Sequence, residues 1–300
     1  MKATGKYVTE SAFTNPAEVS KRLAEVGYLP DESIATVAFL AERLGKPVLV
    51  EGPAGVGKTE FAKAIAAVLD ARLIRLQCYE GLDVAKALYE WNYSKQLLRI
   101  QADTGQGWDE AHDTIFGKEF LLTRPLLEAI SSPEQTVLLV DEIDKVDFEF
   151  EALLLEVLSD FQVTIPELGT VAAVRKPYVV LTSNNTRELS EALKRRCLYL
   201  HMDYPDIERE RDIVLTRVPG VSEKLAEQLV RIVRSLRQLD LRKPPAISET
   251  LDWAQALLEL GYDSVDDAAA RSTLSVLLKH HTDMTKALSH LDVPADPSLN

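Results

Sequence analysis

The sequence predicts an α/β fold: a five-stranded parallel sheet with helices on both faces, followed by an all-α domain. Three observations carry this. A short apolar strand, Pro47-Val48-Leu49-Val50, runs into a glycine-rich turn and then a helix whose apolar face is Phe61, Ile65 and Val68. A second continuous apolar run, Val137-Leu138-Leu139-Val140, ends abruptly in Asp141-Glu142. Strand patterns alternate with helical ones as far as Pro205 and then stop, which is the signature of a parallel sheet giving way to a helical region.

Taken in order, Asn15-Pro16 opens a first helix with Val19, Leu23 and Val26 on one face. Asp31 caps a second, whose face is Ile34, Val37, Ala38, Ala41 and Leu44 before Gly45. After the glycine turn and its helix, Leu73 to Gln77 reads as a strand. Residues 79–130 are less regular, with a helical stretch from Leu82 to Trp91, the polar loop Asp103-Thr104-Gly105-Gln106-Gly107 and a helix from Pro125 to Ile130. The strand Thr136 to Asp141 leads to a helix over Glu149 to Asp160. A hairpin follows, with Val163-Thr164-Ile165 returning through Glu167-Leu168-Gly169 to Val171–Val174. Tyr178 to Thr182 and Leu198 to Met202 complete the strands. Ile207–Val218, Ser222–Leu239, Ser248–Leu260 and Ser264–His281 then read as amphipathic helices. The expected division is a flexible N-terminus (1–14), an α/β domain (15–204), a helical domain (205–285) and a loose C-terminal tail (286–300).

The chain of 300 residues is 46% hydrophobic, enough for one large or two ordinary cores. No run of eighteen apolar residues occurs and no apolar segment follows the first residues, so neither a membrane span nor a secretory signal is expected. Two distant cysteines, Cys78 and Cys197, point to a reducing cytosolic setting without a disulfide framework. Adjacent His280 and His281 diverge on a helix and are not a metal pair. A net charge of −13 argues against a duplex-binding protein, whose affinity comes largely from a basic face.

The chemistry begins at Gly52-Pro53-Ala54-Gly55-Val56-Gly57-Lys58-Thr59, which satisfies G-x-x-x-x-G-K-[ST] between a strand and a helix. Backbone amides and the positive end of the helix dipole favour an anion there, and Lys58 adds a full charge for β/γ-phosphates. The nucleotide contacts are assigned to Gly52 through Thr59 together with the next residue, Glu60. Asp141, emerging at a strand's carboxyl end, is expected to hold Mg2+ together with Thr59, while Glu142 polarises the attacking water as base. Asn184 follows the strand Tyr178–Thr182, where it either closes an Asn-rich turn or donates to a γ-phosphate and orients water. Leu193-Lys194-Arg195-Arg196-Cys197 either sits in water or offers a guanidinium to a phosphate across a subunit interface.

These four features, in this order and followed by a helical domain, resemble the AAA+ ATPases over roughly residues 15–282. The resemblance implies ATP and Mg2+ as cofactors and a P-loop NTPase sheet with a helical lid. Gly52–Thr59 would be the Walker A motif, Val137–Glu142 Walker B and Asn184 sensor 1. Arg196 or Arg195 would be an arginine finger acting in a homo-oligomeric, hexameric ring. Within that superfamily the chain looks like the MoxR branch, particularly its CoxD-like members. This rests on an insert at about 80–120, the 163–174 hairpin, and Tyr79-Glu80-Gly81-Leu82-Asp83. The branch pattern places residues 82–118 and the hairpin toward a central pore. It implies a von Willebrand A-domain partner and a protein client, with metalloenzyme maturation among the outcomes. One departure stands out: where the branch carries a sensor 2 arginine, this chain has Glu249. Either Arg242 or Lys243 substitutes from the preceding loop, or the sensor is absent. Tyr28, in Tyr28-Leu29-Pro30 between the first two helices, lies where the superfamily lines its adenine pocket, as an alternative to a plain core role.

Two other functions compete with a client-remodelling ATPase. A nucleic-acid translocase would draw on Lys86, Lys95, Arg99 and Lys118, and a nucleotide-gated binding module would use the same phosphate loop without turnover.

Overall fold

The computed structural model describes residues 12–102 and 115–291. The loop Asp103–Gly107, the tail Pro294–Ser298 and nearly all of the expected flexible N-terminus lie outside the described residues. The chain forms two compact units. One takes in the chain up to Val26, then Pro30–Gly52 and Lys58–His201. The other takes Gly27–Leu29, Pro53–Gly57 and the chain from Met202 onward.

In the first unit, Asn15 caps α1 (Pro16–Glu25) by accepting the Glu18 amide, and Asp31 caps α2 (Glu32–Leu44) by accepting that of Ile34. The strand β1 (Val48–Glu51), helix α3 (Lys58–Val68) and strand β2 (Arg72–Gln77) follow. Next come the short helix α4 (Val84–Ala87), strand β3 (Tyr89–Trp91), helix α5 (Tyr93–Ala102), strand β4 (Leu121–Thr123) and helix α6 (Pro125–Ser131). The unit continues with β5 (Thr136–Asp141), α7 (Phe148–Asp160), β6 (Gln162–Ile165), β7 (Gly169–Ala172), β8 (Tyr178–Ser183), α8 (Glu191–Arg196) and β9 (Leu198–His201).

The five-stranded sheet is wholly parallel, in the order β2-β5-β8-β1-β9. Val137, Leu138, Leu139 and Val140 of β5 are all at 0% exposure, so this strand is covered on both faces and reads as an unbroken apolar run. Register pairs Gln77 with Asp141 and Val50 with Thr182, which aligns the carboxyl ends of β1, β2, β5 and β8. That rim is where open α/β sheets bind ligands.

Two expectations for this unit are corrected. The stretch Leu82–Trp91 is not one helix. Asp83 caps only the four residues of α4, and Tyr89–Trp91 pairs antiparallel with Leu121–Thr123. Its apolar residues Leu82, Ala87, Leu88 and Trp91 are buried in the core of the first unit, and the distant strand partner overrides local helical spacing. The hairpin at 162–172 is present, but its second strand stops at Ala172 and Val174 is 66% exposed.

The second unit is helical: α9 (Ile207–Arg217), α10 (Glu223–Arg237), α11 (Ile247–Glu259), α12 (Asp267–Leu277) and α13 (His281–Leu291). Asp206, Ser222 and Asp266 cap three of them through side-chain oxygens. Leu229, Val233, Trp253 and Leu257, all at 0% exposure, centre its core, and the Trp253 indole donates to the Thr273 hydroxyl at 2.7 Å. The helix expected over Ser264–His281 ends at Leu277, and a further helix, α13, runs on to Leu291 through residues expected to be a loose tail from 286. Buried Leu278 adopts extended backbone, and Asp283 in the first turn of α13 accepts the amides of Arg242 and Lys243 at 3.0 and 3.1 Å. His281 therefore begins a helix and His280 precedes it.

Candidate active site

Lys58 is the first residue of α3, and its side chain donates to the Gly52 carbonyl at 2.7 Å and to Asn184 Oδ1 at 2.8 Å. Burial pushes its ammonium below the usual lysine range, while Asp144, Asp141 and Glu142 pull the other way. Asn184 reaches Lys58 because it directly follows β8, the neighbour in the sheet of β1, which leads into the loop ending at Lys58.

Asp141 ends β5 with 3% exposure. Its Oδ1 accepts the Thr182 hydroxyl at 2.6 Å and the Thr59 hydroxyl at 3.2 Å, the latter also lying 3.4 Å from Oδ2. Oδ2 accepts Arg75 Nε at 3.0 Å and Nη2 at 2.5 Å. Glu142 follows with φ 59° and ψ 51°, a left-handed conformation uncommon outside glycine. That turn directs its amide to Thr182 Oγ1 at 2.9 Å, so one hydroxyl donates to Asp141 and accepts from Glu142. The Glu142 carboxylate accepts Gln77 Nε2 at 3.0 Å and the Lys145 ammonium. Gln77 Oε1 in turn accepts from Arg75.

Lys58, Thr59, Asp141, Glu142 and Asn184, separated by up to 126 residues in sequence, are thus linked by hydrogen bonds or chain adjacency at one rim. The Glu60 side chain pairs with Lys63 one turn on at 2.6 Å, which leaves only its backbone for the expected contact. Arg196 Nε donates to Ser159 at 2.7 Å and its Nη1 to Ala192 O at 3.2 Å. Arg195 is exposed and makes no such bond among the described residues.

Within the second unit, the turn Pro53–Gly57 packs on the start of α11. The Ile247 amide donates to the Gly55 carbonyl at 3.2 Å. Gly55 has φ +75°, and a Cβ there would lie 2.3 Å from Ala246 Cβ, so only glycine fits the approach. Tyr28 Cε2 lies 4.0 Å from where a Gly57 Cβ would stand, placing the ring beside the turn. Glu249 is occupied locally, accepting from Lys243 at 2.9 Å, from Ser248 at 2.8 Å and from the Ala246 amide at 3.2 Å. Burial works against its ionisation, but these donors win and hold its carboxyl below the usual range. The Arg242 side chain is exposed, and the Lys243 ammonium is committed to Glu249.

Residues 47–197 match the model of the AAA domain, dynein-related subfamily, about half of the chain. The chain is an AAA-domain protein. Membership places it in the AAA+ P-loop ATPase family. Among curated relatives of this AAA-domain chain is an uncharacterized protein of Staphylococcus aureus strain bovine RF122 / ET3-1. It is 28% identical over 224 residues, spanning 72% of this chain and 77% of its own. A second, from strain USA300, is 27% identical with the same coverage. Among solved structures, a Thermotoga maritima RuvB mutant has TM-score 0.48 and 19% identity, covering 88% of this chain and 70% of its own. No helix among the described residues is long and apolar enough to cross a membrane.

Arg75, Gln77 and Thr182 were not legible as site residues. The signal was present in β2, where Arg75 and Gln77 sit two apart and so share a face. What was missing was the register that sets them beside Asp141 and Glu142.

Proposed function

We propose that this chain is a Mg2+-dependent ATP hydrolase of the MoxR-like, CoxD-like kind that works as a ring-forming homo-oligomer, hexameric by family pattern. Its role is to remodel or activate a protein client in the cytosol with a von Willebrand A-domain partner, metalloenzyme maturation being one such task. The observation that carries the ATPase reading is the set Lys58, Thr59, Asp141, Glu142 and Asn184 gathered at the rim of one parallel sheet.

In this reading Gly52 through Glu60 cradle the phosphates and Tyr28 flanks the base. The donor set suits Mg2+, since a buried carboxylate beside a threonine hydroxyl offers hard oxygen ligands of the kind that ion takes alongside substrate phosphates. When bound, the ion supplies charge neutralisation for phosphoryl transfer. Asp141 and Thr59 would hold it, Glu142 would take the proton of the attacking water, and Asn184 would orient that water. For the finger, Arg195 is favoured over Arg196 because Arg196 is already held by Ser159. The lid-side sensor is assigned to Arg242, since Lys243 is engaged by Glu249. We take the α/β domain as 15–204 and the helical domain as running from 205 to the end of α13 at Leu291.

Glu142→Gln tests this directly. The variant is expected to bind ATP as tightly as the unmodified chain and to lose at least a hundredfold in turnover, the usual scale for a general base. Unimpaired phosphate release by Glu142→Gln would overturn the assignment. Nucleic-acid-stimulated hydrolysis with steep salt dependence would replace the protein client with a translocase role.

A further inference from the structure

Arg75 is the one guanidinium bonded directly to Asp141 among the described residues, and it lies on the oxygen that Thr182 leaves and Thr59 approaches only at 3.4 Å. Thr182 donates to Asp141 Oδ1 and Thr59 lies nearer that oxygen (3.2 Å) than Oδ2 (3.4 Å), whereas Arg75 lies on Oδ2 with both Nε (3.0 Å) and Nη2 (2.5 Å). The two partners differ sharply in exposure: the Asp141 side chain is 4% exposed and that of Arg75 49%. A buried carboxylate needs a counter-charge, and this one is carried on a half-solvated side chain able to swing into water. Gln77 and the strand register hold Arg75 at this position, since Gln77 accepts from it and sits opposite Asp141 across the β2–β5 ladder.

The geometry points to Arg75 as a resident counter-ion of Asp141 that competes with the divalent cation for the same carboxylate. This rests on the ATPase reading, in which Asp141 is a metal ligand. A forked guanidinium and a small dication both satisfy a carboxylate by charge and by occupying its lone pairs, and with Nε and Nη2 both on it Oδ2 has no lone pair left for an ion. Arg75 thus keeps the buried acid neutralised before nucleotide arrives and sets a threshold on metal binding. It is a positioning residue: it acts on the reaction through Asp141 and touches no reacting atom in this arrangement.

The test uses the full chain with saturating ADP and Mn2+ as the probe, free Mn2+ being followed by electron paramagnetic resonance. Binding of a fluorescent ADP analogue in EDTA is measured alongside. Arg75→Met is expected to bind Mn2+ about tenfold more tightly than the unmodified chain. The factor is modest because the arginine is half-exposed and its pairing is screened. The gain should shrink as salt is raised. Arg75→Lys, which keeps the charge but loses the fork, is expected to fall between the two and serves if Arg75→Met does not fold. Equal or weaker Mn2+ affinity in these variants overturns the inference and leaves Arg75 a stabilising ion pair or a ligand-side contact. If the unmodified chain binds neither the analogue nor Mn2+, the ATPase reading itself has failed. If it binds both, the comparison judges Arg75 alone.

Discussion

Replacing Gly55 by alanine addresses the approach of the phosphate loop to helix α11, and the structure fixes its scale. Two costs arise. At φ +75° an L-residue adopts the left-handed conformation, about 1–2 kcal/mol above its preferred states. The new Cβ would also stand 2.3 Å from Ala246 Cβ, an overlap that has to be relieved by moving backbone, at about 1–3 kcal/mol for an overpacked contact. Gly55→Ala should therefore destabilise the protein by about 2–5 kcal/mol. Removing the obstacle separates the terms. With Ala246→Gly the nearest remaining side-chain atom is Ser248 Oγ at 3.2 Å, so only the conformational cost and a light contact persist. Ala246→Gly alone should be close to neutral. It loses one buried methyl, about 0.8 kcal/mol, but glycine is the better residue at this N-cap, which makes no side-chain cap bond. Urea denaturation followed by circular dichroism on the four members of the cycle gives the coupling. The double variant should recover about 1–3 kcal/mol relative to Gly55→Ala. A double variant no more stable than Gly55→Ala would show that Ala246 is not what the loop packs against.

Arg237 is expected to anchor the helical unit. It forks onto Glu210 at 2.6 and 2.7 Å, donates to the Pro245 carbonyl at 2.7 Å and stacks on Tyr204, with the two charged side chains only 10% and 2% exposed. Arg237→Met should cost about 3–5 kcal/mol by stranding Glu210, with Glu210→Gln/Arg237→Met less damaged than Arg237→Met, and thermal melts would read both. A loss below about 1 kcal/mol would contradict the anchoring role. Burial pushes the thiols of Cys78 and Cys197 up to about 12, so both should stay neutral at pH 8 and react slowly with a disulfide reagent until denaturant is added. Rapid reaction of either in the native protein would be the contrary result.

The parts of the fold that were legible are those whose local pattern and final environment agree. Val137–Val140 read as a buried strand because both faces are covered, and Asn15, Asp31 and Ser222 announced helix starts that the structure caps as expected. Tyr89–Trp91 misled because its partner, Leu121–Thr123, lies some thirty residues away and no local spacing encodes the pairing. Leu278 misled because it is as apolar as the helices it separates. In the site, the loop and the paired acids were legible from motif spacing. The bonds that Arg75, Gln77 and Thr182 make to those acids depend on which strands lie side by side, and strand order is a property of the whole sheet. The same distance in sequence hid the approach of Gly55 to Ala246.

Glu142 sits in a backbone conformation that most residues avoid, held there by the hydrogen bond its amide donates to Thr182 Oγ1. For mutational tolerance, conformational preference and chemistry pull this position in opposite directions. Glycine would relax the backbone and discard the carboxylate, and a β-branched residue would be refused by the backbone itself. A stability-driven redesign of the chain would single out residue 142 for improvement and, on the reading given above, improve away the activity. Asp70, Phe161 and Asn185 also have positive φ, so what marks Glu142 is that backbone angle together with its place beside Asp141 at the sheet rim.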